Sequence, residues 1–262
     1  LSSAVALSVG SVVARPGIVS GSFTTPSATA GILGAPYPPY VALTVGVLVG
    51  LACGALVGVI VSRFAVPAFV ATLGMLSAAR GLTLIYGGGK PVPALTPDFR
   101  WIGTGSVLSV PMPVILLAIV FAVAWWVLNR TRFGRYIYAV GGNPHAATTS
   151  GINVSKLRFL VYVISGGLSG LAGMLLAART GSALPQAGIA YELDAIAAVV
   201  IVGTSLSGGV GRITGTLIGA LIIGVMNNGL DLMGIQSYYQ QVLKGALIVG
   251  AVMLDQKRNL GG

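Results

Sequence analysis

The feature that most constrains the fold is an apolar run, 40–61, in which glycine recurs at every fourth position. The glycines are Gly46, Gly50, Gly54 and Gly58. A transmembrane helix needs ~20 consecutive apolar residues, and inside a bilayer its backbone must satisfy its own hydrogen bonds. Glycines at this spacing leave a bare groove along one helix face, where a second helix can approach closely. The run therefore predicts a tightly packed membrane-spanning helix.

The composition also indicates a membrane protein. Of the 262 residues, 55% are hydrophobic and 8% are charged, whereas soluble chains carry about 25% charged residues. The net charge of +10 could suggest nucleic-acid binding, but the basic residues lie in short linkers between apolar runs rather than along a soluble face. Such clusters are typical of cytoplasmic loops. They comprise Arg63, Arg130, Arg132, Arg135, Lys156, Arg158, Arg212, Lys257 and Arg258.

The hydropathy pattern predicts an all-α, polytopic helical membrane protein with one transmembrane domain, residues 1–262. The predicted spans are 1–20, 40–61, 67–86, 113–128, 157–178, 192–203, 213–230 and 238–254, and the first is weakened by Arg15 and Pro16. A polar linker at about 129–156 carries three arginines. If this linker and the C-terminus are both cytoplasmic, the basic clusters fall on the inner side, as the positive-inside rule requires.

A second glycine stripe, Gly211, Gly215 and Gly219, predicts another close helix contact. The stripe lies at the start of the same predicted helix as Asn227 and Asn228.

Polar side chains inside the spans are candidates for a translocation path. Asn227 and Asp231 share one helix face, and Asn228 is turned about 100° away. Such residues at membrane depth need a partner or a water-filled cavity, and interhelical hydrogen bonds explain them equally well. Glu192 and Asp194 open an apolar segment, where negative charge suits a helix N-terminus. We favour this capping role, and a docking or gating role is the alternative for these two acids.

No catalytic or metal site can be assembled from these residues. The chain has one histidine, His145, one cysteine, Cys53, and five scattered acidic residues, so neither a catalytic triad nor a metal cluster is available. The segment 87–90 lacks the first glycine and the Ser or Thr of a phosphate-binding loop. We therefore expect no catalytic residue, no metal and no nucleotide site in this chain.

The polar linker contains an unusual segment, 134–152. Small residues stand between the Gly141-Gly142 pair and Gly151, which predicts a short helix with a helix breaker at each end. The residues alone leave two interpretations open, a solvated linker and a functional element. The candidate residues are Gly134, Arg135, Gly141, Gly142, Asn143, Pro144, His145, Ala146, Ala147, Ser150 and Gly151.

This segment and several others resemble the permease subunits of ribose-type ABC sugar importers. The other matching segments are 7–11 (Leu-Ser-Val-Gly-Ser), 191–200 (Tyr-Glu-Leu-Asp-Ala-Ile-Ala-Ala-Val-Val), 203–209 (Gly-Thr-Ser-Leu-Ser-Gly-Gly), 215–221 (Gly-Thr-Leu-Ile-Gly-Ala-Leu) and 227–230 (Asn-Asn-Gly-Leu). The likeness extends over nearly the whole chain. Members of the family usually begin with two further helices, so the resemblance implies about eight of ten spans, with N-terminal helices missing.

The resemblance also implies partners. Permeases of this family pair as homodimers, bind a cytoplasmic ATPase subunit and receive sugar from an extracytoplasmic binding protein. The short helix at about 143–150 would then be the ATPase-coupling element. ATP and Mg²⁺ would be bound by the ATPase, and this chain would bind no cofactor.

The expected function is the import of a monosaccharide, ribose-like first, across the bacterial inner membrane, with the C-terminus in the cytoplasm. An ATP-independent secondary transporter or channel is one alternative, although such proteins usually carry ionisable residues in mid-span. An inactive, truncated permease is another.

Overall fold

The computed structural model describes residues 9–25, 37–202, 204 and 208–260, and this part of the chain is almost entirely helical. The helices are α1 Val9–Thr24, α2 Pro39–Arg63, α3 Ala68–Gly87, α4 Pro97–Thr104, α5 Met112–Arg130, α6 Arg132–Gly142, α7 Pro144–Thr149, α8 Val154–Thr180, α9 Tyr191–Ile201, α10 Ile213–Leu232 and α11 Ser237–Leu260. An antiparallel hairpin of β1 Ser106–Val107 and β2 Val110–Pro111 pairs Val107 with Val110. The matching segments 7–11 and 203–209 lie partly outside the described residues.

Five helices are long and apolar enough to cross a membrane: α2, α3, α5, α8 and α10. They coincide with five of the predicted spans, so the prediction of a polytopic helical membrane protein is confirmed. The other three predicted spans correspond to α1, α9 and α11, which are not among these five helices. Helix α1 has 16 residues with Pro16 inside it, and α11 has 24 residues with polar residues at both ends. Helix α9 has only 11 residues, which gives about 16 Å of helix against ~30 Å of hydrocarbon.

The described helices group into two compact units. The first contains α1 to α4, the hairpin, the first half of α5, and α8. The second contains the second half of α5, together with α6, α7, α9, α10 and α11. The assignment of the whole chain to a single transmembrane domain stays a prediction.

In the first unit, α2 and α8 meet glycine against glycine. A methyl group added at Gly50 would lie 2.9 Å from the Cα atom of Gly170, and one added at Gly54 would lie 3.1 Å from the Cα atom of Gly166. Gly54 also faces the carbonyl oxygen of Tyr162. Distances this short leave no room for a side chain, so the two backbones are in direct contact.

The stripe continues toward both ends of α2. Gly46 lies against the side chain of Met174 at one end of the contact, and Gly58 lies against Phe159 at the other end. Helix α1 joins the same face of α8, because a methyl group at Gly17 would be 3.0 Å from the carbonyl oxygen of Gly173. The predicted stripe thus lies along the α2–α8 contact.

The core of this unit lies at one end of the α1–α2–α8 contact. It is built from Ile18, Ala42, Phe99, Met174 and Ala178, all buried. Nearby, residues 92 and 183 exchange backbone hydrogen bonds of 2.9 Å in both directions, which ties the α3–α4 connection to the segment after α8.

In the second unit, α10 packs against α9. Gly219 lies against the backbone of Ala198, and a methyl group there would also be 2.8 Å from Cγ2 of Val202. Gly215 has ordinary van der Waals distances to Val202, 3.5 Å to its Cβ atom. Gly211 precedes the first residue of α10. Of the second glycine stripe, Gly219 is therefore the position of closest approach.

We expect Gly50→Leu to lower the thermal stability of the purified protein, because the added side chain must displace the backbone of α8. Overpacking of this kind costs about 1–3 kcal/mol. The matched control is Gly74→Leu in the spanning helix α3, where an added Cβ atom would meet nothing within 4 Å. The measurement is the melting temperature in detergent, followed by fluorescence-detected size exclusion. Equal melting temperatures for the two variants would contradict the glycine contact.

Candidate functional site

The polar linker folds into two short helices, α6 and α7, which meet at Asn143. The side chain of Asn143 caps α7, because its Oδ1 accepts hydrogen bonds from the backbone N–H groups of His145 and Ala146, each at 3.0 Å. Pro144 occupies the first position of α7, where its missing N–H costs nothing. The interruption thus falls at Asn143 rather than at the predicted glycine pair, which ends α6.

The predicted glycine at the far end of α7 follows the helix and its C-cap residue, Ser150. Gly151 has φ +81°, a left-handed conformation that favours glycine and ends the helix. Ala147 is buried, whereas His145, Ala146 and the residues that follow Ala147 in α7 are exposed. Helix α7 therefore has one packed face and one free face.

The linker is joined to the segment that leads into α10. The hydroxyl group of Tyr138 on α6 donates a hydrogen bond to the carbonyl oxygen of Gly211, at 3.0 Å. A methyl group at Gly209 would lie 2.8 Å from the Cα atom of Gly142. A cavity of about 570 Å³ opens beside this contact and is lined in part by Tyr138, Arg212 and residues of the first turn of α10. A displacement of α6 would therefore act directly on the start of α10.

The other candidate residues lie on α9, α10 and α11 of the same unit. Asp194 is the centre of a polar cluster with Asn227 and Lys244, which we call the Asp194 cluster. The ammonium group of Lys244 donates a hydrogen bond to Oδ2 of Asp194 at 3.0 Å and lies 2.9 Å from Oδ1, so it contacts both carboxylate oxygens. The amide of Asn227 donates to the same Oδ2 at 3.3 Å. One carboxylate thus links three helices.

Lys244 was not among the residues singled out from the sequence. A signal was present, because Lys244 is a lysine inside the predicted span 238–254. Charged residues within spans are costly unless they are paired. Its partner could not be identified from the sequence, since Asp194 is 50 residues away along the chain.

Asp231 takes part in a different contact. Its Oδ1 accepts a hydrogen bond from the side-chain amide of Gln240 at 2.7 Å, and the same amide donates to the carbonyl oxygen of Ile235 at 3.0 Å. Asn228 is exposed. Of the three candidates for the translocation path, only Asn227 belongs to the Asp194 cluster.

Glu192 and Asp194 both lie in the first turn of α9, as predicted. No side chain caps this helix, which begins after Ala190 at φ +68°. The carboxylate of Asp194 bonds to neighbouring helices instead of to the free N–H groups. The Oε2 atom of Glu192 is buried and has no hydrogen-bond partner within the described ranges.

In the part of the chain that the structure describes, no group of three or more His, Cys, Asp and Glu side chains could hold a metal ion.

We expect Lys244→Met to destabilise the protein by about 3 kcal/mol, because it leaves a largely buried carboxylate without its counter-charge. The double variant Asp194→Asn/Lys244→Met removes both charges and should recover most of that loss. The measurement is the melting temperature of each purified variant in detergent. A double variant that is less stable than Lys244→Met would contradict the ion pair between Asp194 and Lys244.

Comparison with known proteins identifies the family. A family model described as "Branched-chain amino acid transport system / permease component" matches residues 2–252. The ribose import permease protein of Escherichia coli (strain K12) is 49% identical over 98% of this chain and 79% of its own length. The corresponding protein of Bacillus subtilis (strain 168) is 43% identical, over 99% of this chain and 78% of its own.

A D-allose transport system permease protein of Escherichia coli (strain K12) is 43% identical over 95% of this chain and 74% of its own length. No solved structure matches the chain. The helices, the spans and these matches agree with one another. The chain therefore belongs to the branched-chain amino acid transport system permease family, and it is a polytopic membrane permease of the ribose-type ABC transporters.

Proposed function

We propose that this chain is the transmembrane subunit of an ATP-driven importer that moves a monosaccharide, ribose first, from an extracytoplasmic binding protein into the cytoplasm. The observation that carries the proposal is the 49% identity to a ribose import permease across 98% of this chain. A relative named for D-allose is 43% identical, so other monosaccharides of similar size are the next candidates.

The proposed partner on the cytoplasmic side is an ATPase subunit that binds the free face of α7. ATP and Mg²⁺ are bound by that subunit, and this chain contributes no catalytic residue and no cofactor. Because α6 contacts the residues just before α10, a push on α7 can pass through Tyr138 and Gly211 to a membrane-spanning helix. An ATP-dependent change at α7 would then shift the balance between outward-open and inward-open states.

The proposed location is the bacterial inner membrane, with the linker 129–156 and the C-terminus in the cytoplasm and a second copy of the chain completing the pathway. The support is the distribution of charge. Arg130 ends α5, Arg132 and Arg135 lie on α6, and Lys257 and Arg258 lie near the end of α11. Basic residues in short loops favour the cytoplasmic side.

Ribose uptake tests the proposed transport. Cells that lack their own ribose permease should take up labelled ribose when they express this chain with an ATPase and a binding protein of the same transporter class. Uptake should stop when the ATPase carries an inactivating substitution in its nucleotide site. Competition with unlabelled D-allose and with leucine measures the range of substrates, and we expect competition from the sugar alone. Uptake that persists without ATP hydrolysis would instead favour a secondary transporter or channel.

Co-purification tests the proposed docking site. We expect Ala146→Arg, on the exposed face of α7, to reduce retention of the ATPase at least tenfold, because it places a long charged side chain in the contact. The control is Ser106→Arg in the exposed hairpin of the other unit. Deletion of 143–150 should abolish retention, with folding checked by size exclusion. Equal retention by wild type and Ala146→Arg would place the docking surface elsewhere.

Hydrolysis and uptake can also be separated at the linker. Replacement of Gly151 by valine forces a β-branched residue into φ +81°, which should distort the end of α7 while leaving the ATPase intact. We expect ATP hydrolysis to continue while ribose uptake falls severalfold, as measured in parallel in proteoliposomes. Unchanged uptake at normal expression would argue against a coupling role for this segment.

A further inference from the structure

The cluster of Asp194, Asn227 and Lys244 combines charge, burial and unused hydrogen-bonding capacity in a way that goes beyond helix packing. We propose that the Asp194 cluster binds hydroxyl groups of the transported sugar during translocation. This inference rests on the proposed function, since it assigns part of the substrate pathway of that importer.

The residues of the Asp194 cluster on α10 and α11 lie away from the helix ends. Lys244 is seven residues from the first residue of α11, which is about 10 Å along the helix axis. Asn227 is five residues from the end of α10, about 7.5 Å. Both residues therefore lie well within their helices rather than at the ends, and α10 is long and apolar enough to cross a membrane. Charged and amide groups at membrane depth need a partner or a water-filled cavity.

The ion pair between Asp194 and Lys244 is partly exposed. The side chain of Lys244 is 13% exposed and that of Asp194 is 20% exposed. Exposure of such groups to lipid is costly. The exposed part of the ion pair therefore favours a water-filled pathway beside the cluster. Because the pair has no net charge, the cluster suits an uncharged ligand better than an ionic one.

The cluster has unused hydrogen-bonding capacity. The Oδ1 atom of Asn227 is buried and accepts no hydrogen bond from any described residue. Buried acceptors of this kind are rare in folded proteins. The ammonium group of Lys244 has three protons to donate, and at most two of them are directed at the carboxylate oxygens of Asp194, which lie at 2.9 and 3.0 Å. One acceptor and one donor are left at one place.

A sugar supplies the complementary groups. Each hydroxyl group both donates and accepts a hydrogen bond, so one hydroxyl can donate to Oδ1 of Asn227 while its neighbour accepts from Lys244. A purely structural clamp between α9, α10 and α11 would need none of this capacity. The side chain of leucine or valine offers no hydroxyl group and would leave Oδ1 of Asn227 unsatisfied.

The test uses the full chain purified with its ATPase partner. The first readout is thermal stabilisation by ribose in the absence of the binding protein, titrated up to 100 mM, with leucine as the comparison ligand. The variant is Asn227→Ala, and the matched control is Gln236→Ala, which removes an exposed amide between α10 and α11. The second variant is Asp194→Asn/Lys244→Met, which keeps the size of both side chains. The second readout is ribose uptake by the same variants in cells.

We expect ribose, but not leucine, to stabilise the wild type and Gln236→Ala with the same midpoint. The midpoint for Asn227→Ala should rise about tenfold, and the double variant should show no stabilisation, although both remain monodisperse. Ribose uptake should fall in both of these variants and stay at the wild-type level in Gln236→Ala.

Two results would overturn the inference, and they differ in what else they remove. If the wild type takes up ribose but Asn227→Ala matches Gln236→Ala in midpoint and uptake, the cluster does not bind sugar and the proposed function stands. If the wild type with active partners neither takes up ribose nor is stabilised by it, both the inference and the proposed substrate fall.

Discussion

The direct contact between the backbones of α2 and α8 is the constraint on which the first unit depends. In a bilayer the lipid tails are as apolar as leucine, so helices gain little from hiding apolar side chains from their surroundings. They associate through close packing instead, and close packing needs surfaces without bulk. Gly50 and Gly54 on α2 meet Gly166 and Gly170 on α8 within contact distance. Helix α1 approaches α8 equally closely at Gly17, which faces the carbonyl oxygen of Gly173.

The second unit is organised by polar groups as well as by small residues. Helix α9 is too short to cross the membrane, and its first turn carries Glu192 and Asp194. Three of the five acidic residues of the chain lie on α9 and α10, and Lys244 on α11 neutralises the one that links the helices. An ion pair of this kind is not a large source of stability, because the desolvation of two charges offsets much of their attraction.

The two features of the second unit lie at opposite ends of α10. The linker helices contact the residues just before α10 through Tyr138 and Gly142, and Asn227 of the Asp194 cluster lies near the other end of the same helix. A rigid helix about 30 Å long carries a displacement from one end to the other. In the proposed importer, a nucleotide-dependent movement at α7 would reach the Asp194 cluster along this helix.

Much of this protein follows from local sequence. Apolar runs of sufficient length predict α2, α3, α5, α8 and α10, because the bilayer sets the length and forces the backbone into helices. The motifs beginning at Gly134 indicate the family, and the glycines of α2 indicate where a helix must come close. Asn143 and Gly151 bound a short helix because capping and left-handed backbone are properties of single residues.

Only the tertiary structure decided which helices meet. The α2 stripe has no partner in the sequence, since the glycines of α8 are more than 100 residues away. The pairing of Asp194 with Lys244 spans 50 residues. A hydropathy profile shows each of them only as a charged residue in an apolar segment. Asn227 and Asp231 share a helix face, yet one contacts α9 and the other contacts Gln240 of α11. Local sequence determines how each segment folds, but a long-range contact depends on the position of two segments at once.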